Sequence, residues 1–236
     1  MSGKAIKIVH LYPEDMNIYG DSGNVIVLAN RLKWRDIPFK IVKVNQGDAI
    51  PPDTDIIIGG GGQDIGQRRV EADLQKKSST LKSMSDDGVV MLMICGLYQL
   101  FGDSFITKDK VTIKGIGILP VHTEASDSRM IGNIAIETEF GRVVGYENHS
   151  GKTWLHEGAN PFGKVTKGFG NNGEDHYEGA RVNNIYASYL HGPILSKNPK
   201  LADRLLGLAL KNRGISLTKL DDSLEEKAAE MAFNRP

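Results

Sequence analysis

The chain has 236 residues, 40% hydrophobic and 25% charged, with 29 Lys+Arg against 29 Asp+Glu and a formal charge of zero. This is an ordinary globular composition, and the balance removes the electrostatic case for a nucleic-acid or polybasic membrane binder. A single cysteine, Cys95, excludes an internal disulfide framework and a cysteine-based zinc finger.

The longest apolar runs, such as Val89–Cys95, fall far short of the ~20 residues that span a bilayer. Met1–Lys7 has no signal-peptide apolar core, so a cytoplasmic location is expected. Ile6–His10 reads as a short strand. Asp21 and Ser22 are placed to cap a helix carrying Val25, Leu28, Ala29 and Leu32 at i, i+3, i+4 and i+7. Phe39–Val44 and Asp55–Ile58 read as strands, the second stopping at Gly59–Gly62. A polar helix from about Val70 to Asp86 leads to the buried strand Val89–Ile94. Continuous apolar strands between helices predict a mostly parallel sheet covered on both faces.

The middle third changes texture. Val111–Leu119, Gly132–Thr138 and Arg142–Tyr146 are short alternating runs broken by Gly, expected as antiparallel ribbons and loops. Ile185–Leu190 reads as a late strand and Pro199–Arg213 as a helix. Asp221, Asp222 and Ser223 open a capped terminal helix over about 221–233. No repeat or long linker interrupts, so residues 1–236 read as one domain.

Three motif-like strings carry no function. Gly168-x-Gly170-x-x-Gly173 follows no buried strand and opens no helix, and reads as a turn. Gly158-x4-Gly163-Lys164 has Val165 where a P-loop needs a hydroxyl, and Pro161 sits inside it. His149 and His156 are seven apart, without HExxH spacing, and no metal site is expected.

Cys95 ends an apolar strand, and Gly96 and a helix start follow at once. A nucleophile elbow sits at such a junction, and a helix N-terminus favours the thiolate. Position alone leaves a buried structural cysteine as the alternative. The backbone N–H groups of Gly59–Gly62, at the end of another strand, can serve a developing oxyanion. His191 ends the strand IYASYL, on the edge where open α/β sheets bind ligands, and is the candidate base. His10 also ends a strand, but the apolar run continues through Leu11 and Tyr12, which makes it the weaker candidate.

The strings IIIGGGG, ICGLYQLFG and YLHGPIL, in this order, resemble the class I glutamine amidotransferases of the cobyric acid synthase type. LYPEDMNIYGDSGNVIVL, SDSRMIGN around Arg129, GYENHSGKT and GFGNNGED extend the likeness over nearly the whole chain. They are similar to the glutaminase subunits of lipid II isoglutaminyl synthases. The resemblance implies a flavodoxin-like three-layer α/β/α fold with a mostly parallel central sheet and added antiparallel ribbons. It implies hydrolysis of L-glutamine to L-glutamate and ammonia. The ammonia passes to a MurT-like, ATP-dependent Mur-ligase partner in a heterodimer. That partner amidates D-glutamate of the lipid II stem peptide to D-isoglutamine in peptidoglycan biosynthesis. No cofactor is implied in this chain; ATP and Mg belong to the partner. Matched by position, Cys95 is the nucleophile, His191 the base and Arg129 the holder of the glutamine carboxylate. Gly60 or Gly61, with Gly96, forms the oxyanion hole. The alternatives are a cobyric-type glutaminase serving another synthetase, a cysteine hydrolase or peptidase, and an inactive regulatory subunit.

Two positions depart from the pattern. Leu97 replaces the usual second elbow glycine, which predicts a looser elbow or a narrower pocket. Pro193 stands where many relatives carry the acid that orients the imidazole. The triad is then a dyad within this chain unless Glu147 or another acid reaches His191. A weak isolated glutaminase, completed by its partner, is expected.

Overall fold

The computed structural model describes residues 5–211 and 213–235. Its first sheet is built from β1 (Ile6–Leu11), β2 (Phe39–Val44), β3 (Ile56–Gly59), β4 (Val90–Ile94), β11 (Ala180–Val182) and β12 (Ile185–Ser188), in the order β11-β12-β4-β3-β1-β2. All neighbours in it are parallel except β11 on β12. The central strands are apolar on both faces because helices flank the sheet. α1 (Ser22–Lys33) packs on α4 (Pro199–Lys211), and α2 (Asp64–Asp86) packs on α3 (Gly96–Phe101). The strand ends are level, with Leu11 opposite Gly59, Gly59 opposite Met93 and Ser188 opposite Ile94. The segments that leave these ends therefore meet on one edge, where open α/β sheets bind ligands.

The second sheet contains β5 (Ser104–Ile106), β6 (Thr112–Lys114), β7 (Val121–Thr138), β8 (Gly141–Leu155), β9 (Gly163–Lys167) and β10 (Tyr177–Glu178). Its order is β10-β9-β7-β5-β6, with β8 paired along β7. The antiparallel ribbons expected in the middle third are present: β6 lies within Val111–Leu119, and Gly132–Thr138 and Arg142–Tyr146 are the paired arms at the closed end of one long hairpin. A register shift between Ala125 and Met130, and a run of polar residues around it, hide the alternation of β7. That end of β7 is exposed, so no apolar face was selected there. Backbone bonds from Tyr146 N–H to His191 O (3.2 Å) and from His191 N–H to Tyr146 O (2.8 Å) join the hairpin to the loop after β12.

Two helix starts differ from expectation. α2 begins at Asp64, one residue past the glycine-rich stretch, because its polar first turn carries no apolar spacing. Asp21 gives α1 no side-chain cap. The glycines at 168, 170 and 173 form the expected turn, each with positive φ. Among the described residues, no helix is long and apolar enough to cross a membrane.

The terminal helix α5 (Ser223–Phe233) buries none of its residues, so its own apolar face contributes little. The segment before it is held instead by Arg31, which is only 2% exposed. Arg31 Nε and Nη2 donate to the two carboxylate oxygens of Asp203, each at 2.7 Å, and Nη1 donates to Asp222 Oδ1 at 2.7 Å. Arg35 adds bonds to Asp203 (2.6 Å) and to Thr218 O (2.7 Å). A buried guanidinium with two carboxylates is strongly coupled, and removing it strands both acids. Arg31→Met is expected to cost about 3 kcal/mol of stability, at the low end for a broken buried pair because both acids keep some water. It should also make the chain between α4 and α5 sensitive to limited proteolysis. Denaturant midpoints and cleavage mapping measure both; an unchanged midpoint with an uncut tail overturns the assignment.

Candidate active site

Cys95 directly follows the buried β4 and directly precedes α3. Its backbone is at φ 51°, ψ −102°, a conformation rare and strained for a residue with a Cβ. The N–H of Cys95 donates to Ser188 O at 2.8 Å, which ties the elbow to β12. Gly96 is required here, since a Cβ would lie 2.7 Å from Met16 Cε and 2.9 Å from Gly62 N. Leu97 is fully buried and faces Gly59. It does not line the cleft, so it neither loosens the elbow nor narrows the pocket.

His191 is 3% exposed and lies across the glycine-rich stretch from Cys95. A Cβ on Gly61 would sit 3.0 Å from His191 Cε1 and 3.2 Å from Cys95 Cβ, so this approach needs glycine. His191 Nδ1 is 3.3 Å from Asp21 Oδ1, and Asp21 is fully buried. The other oxygen, Oδ2, accepts the N–H of Gly61 at 2.8 Å. Asp21, read from the sequence as a helix cap, is therefore the acid that orients the imidazole. Another acid of this chain therefore reaches His191, the condition under which the dyad is extended, and Cys95, His191 and Asp21 lie together. Glu147 does not reach His191; its oxygens accept the N–H groups of Phe169 (2.8 Å) and Gly170 (3.0 Å). Glu178 is also buried and accepts the N–H of Tyr189 at 2.6 Å. Burial pushes its pKa up to about 8.

His191 Nε2 is buried without a hydrogen-bond partner of good geometry, which leaves it for the thiol and for substrate. Burial opposes a charged ring, but Asp21 and Cys95 outweigh it and raise the His191 pKa from 6.5 to about 10. Both neighbours therefore favour the protonated ring. His10 is buried too, with its pKa lowered to about 4 by burial and then by Lys43. It does not line the cleft.

The cleft has a volume of ≈ 360 Å³ and is lined by both Cys95 and Arg129. Arg129 Nε donates to Asn148 Oδ1 at 2.6 Å and Nη2 donates to Tyr19 Oη at 3.3 Å. Its remaining N–H groups face solvent and can take a carboxylate. Gly61 cannot serve as an oxyanion donor, because Asp21 already takes its N–H. Gly60 is turned against Met16 and Asp21. The N–H groups beside the thiol that donate to no acceptor in the described residues are those of Gly62 and Gly96, and Gly62 lines the cleft. Among the described residues, no group of three or more His, Cys, Asp or Glu is arranged to hold a metal. A similar cavity of ≈ 390 Å³, between α5 and the hairpin, is lined by no Cys, His, Ser or Thr.

Sequence reasoning missed Asp21 as an acid of the site, Tyr19 and Asn148, and it placed Gly62 only within the stretch Gly59–Gly62. The available signal was that YGD follows β1, whose end lies on the same edge as Cys95 and His191. An acid just before a helix reads first as a cap.

Two substitutions test the triad and its clamp. Asp21→Asn keeps an oxygen for Gly61 but removes the charge, and turnover should fall by about 10²–10⁴-fold. A native His191 pKa above its unfolded value stabilises the fold fully below pH 6.5, and this contribution is lost as pH rises through about 10. The stability advantage of wild type over Asp21→Asn should therefore shrink from pH 6.5 to 10 in denaturant titrations; an advantage flat with pH rejects the pairing. Arg129→Lys exchanges a planar fork for a point charge and should weaken binding of an α-carboxylate by about 1.5–3 kcal/mol. An unchanged apparent affinity assigns Arg129 to structure.

Residues 7–199 match the model of the CobB/CobQ-like glutamine amidotransferase domain. The chain is 39% identical over 234 residues to the GatD subunit of the glutamine-hydrolysing lipid II isoglutaminyl synthase of Staphylococcus aureus strain N315, covering 98% of this chain and 96% of that one. It is 37% identical over 234 residues to the GatD subunit from Streptococcus pneumoniae strain R6, covering 95% and 89%. A crystal structure of a glutamine amidotransferase superimposes with a TM-score of 0.60 at 17% identity, covering 85% of this chain and 98% of the other, a likeness of fold alone. The sheet order, the strained cysteine at the end of β4 and the match over most of the length agree, and the chain belongs to the CobB/CobQ-like class I glutamine amidotransferases, with their flavodoxin-like fold.

Proposed function

We propose that this chain is the glutaminase subunit of a lipid II isoglutaminyl synthase. It hydrolyses L-glutamine to L-glutamate and ammonia. The observation that carries the reading is that Cys95, backed by the His191–Asp21 pair, lines the same cleft as Arg129. A free amino acid with a side-chain carboxamide fits such a pair of groups. Its α-carboxylate meets the guanidinium, and its carboxamide carbon meets the thiol.

The chemistry is acyl transfer through a thioester. Once the thiol proton is on His191, the Cys95 thiolate attacks the carboxamide carbon and the carbonyl oxygen becomes an oxyanion. The N–H groups of Gly62 and Gly96 receive that oxygen. As the tetrahedral species collapses, the C–N bond breaks, and His191 gives its Nε2 proton to the departing nitrogen, which leaves as ammonia. Neutral His191 then takes a proton from water, which adds to the thioester; glutamate leaves and the thiolate is restored. Asp21 holds Nδ1–H throughout, so the tautomer stays correct at each step.

Ammonia free in water at pH 7 is mostly protonated and a poor nucleophile, so it is best delivered directly to a partner. The likeness to two GatD subunits supports a MurT-like Mur-ligase partner in a heterodimer, which holds ATP and Mg and amidates the D-glutamate of the lipid II stem peptide to D-isoglutamine. The test is glutamate release from glutamine by the purified chain, and transfer of amide-¹⁵N to lipid II with ATP and the ligase subunit added. Cys95→Ala should abolish both reactions while exogenous ammonium still supports amidation. Glutamate release that survives Cys95→Ala rejects the nucleophile, and the absence of ¹⁵N in lipid II with an active glutaminase rejects the acceptor.

A further inference from the structure

The loop between β1 and α1 places one more residue against the site. Tyr19 lines the cleft. Its ring centroid is 4.3 Å from that of His191, tilted by 49°. Its hydroxyl accepts a hydrogen bond from Arg129 Nη2 at 3.3 Å. Its side chain touches both the base and the clamp.

The loop is anchored so that this side chain is held in register. Ile18 N–H donates to Gly61 O at 3.1 Å, and Gly61 N–H donates to Asp21 Oδ2 at 2.8 Å. Gly61 thus binds the residue before Tyr19 and the acid two residues after it. Ser22 N–H donates to Asn17 Oδ1 at 2.8 Å, which closes the loop on itself. Gly20, at φ 73°, lets the backbone turn between Tyr19 and Asp21 where a side chain would be strained.

The two contacts do different work. A guanidinium selects a carboxylate by the direction of its N–H groups, and Tyr19 Oη together with Asn148 Oδ1 sets that direction for Arg129. An aromatic ring within about 6 Å of a cation attracts it when desolvated, and the tilted Tyr19 ring covers the imidazolium of His191 in this way. We propose that Tyr19 is a positioning residue for both ends of bound glutamine: its hydroxyl aims Arg129 at the α-carboxylate, and its ring covers and steadies His191 over the reacting carboxamide. This rests on the glutaminase reading and goes beyond it.

The two halves separate by substitution. Tyr19→Phe keeps the ring and removes the oxygen, so KM for glutamine should rise about tenfold, the scale of one lost charge-linked hydrogen bond, with a smaller fall in kcat. Tyr19→Leu removes both, so kcat should fall about tenfold as well. Cys95 is the chain's only cysteine, so alkylation by iodoacetamide reads its protonation directly. The midpoint of the alkylation rate against pH should rise in Tyr19→Leu and stay at the wild-type value in Tyr19→Phe. A Tyr19→Phe enzyme with wild-type KM, or two variants with the same kcat, KM and alkylation midpoint, overturns the proposal. Should Tyr19→Leu fail to fold, the KM-against-kcat split in Tyr19→Phe still decides. The alkylation arm needs no glutamine turnover: a wild-type chain that releases no glutamate counts against the glutaminase reading, and an unmoved midpoint in folded Tyr19→Leu counts against the role of Tyr19.

Discussion

The carboxylate of Asp21 holds two things at once: the imidazole of His191 through Oδ1 and the N–H of Gly61 through Oδ2. A buried carboxylate needs such partners, because unpaired it would carry a large desolvation penalty. The rest of the site is arranged around that need. The chain from β1 must turn back so that Asp21 lies under the end of β3, and Met16 fills the space beside Gly60 and Gly62. The same carboxylate fixes the distance between the glycine-rich stretch, the base and the thiol. The triad and the oxyanion donors are therefore one assembly, and a disturbance of the loop after β1 reaches both.

The long hairpin adds the second constraint. A flavodoxin-like sheet supplies the nucleophile and base at its strand ends, but it offers no wall facing them. β7 and β8 supply that wall, with Arg129 and Asn148 on it, and the backbone pairing of Tyr146 with His191 welds the two sheets at the point of chemistry. Glu147, on the other face of β8, pins the turn at 168–173 through two backbone N–H groups, so the wall is braced from behind. Rigid placement of this kind is what lets an oxyanion site act without reorganising.

The parallel sheet was legible because fully buried strands read as unbroken apolar runs, and IIIG, VMLMI and IYAS leave little choice. Cys95 was legible because it stands directly at a strand end, and His191 because it closes the apolar run IYASYL, three residues past the end of β12. The hairpin was legible only in pieces, since its exposed half carries polar residues on both faces and a register shift breaks the period. Asp21 was not legible as an acid of the site. Its local context matches a helix cap, and only the spatial meeting of residues 170 positions apart gives it its partner. Gly61 was misread for a related reason: its N–H points toward the site, but a side chain from another element reaches it first.

The elbow carries the only sulfur in the chain that can be oxidised to a disulfide, and it is also the reactive one. Peroxide that reaches Cys95 would convert the thiolate to a sulfenic acid, and the chain has no second thiol to capture it. Recovery then depends wholly on a small external reductant able to enter a cleft of ≈ 360 Å³, at a sulfur-bearing residue only 6% exposed. Bound substrate would occupy that same entrance, so a filled cleft shields the sulfur from oxidant and an empty one leaves it open. In this fold, protection of the thiol is tied to the supply of the molecule it consumes.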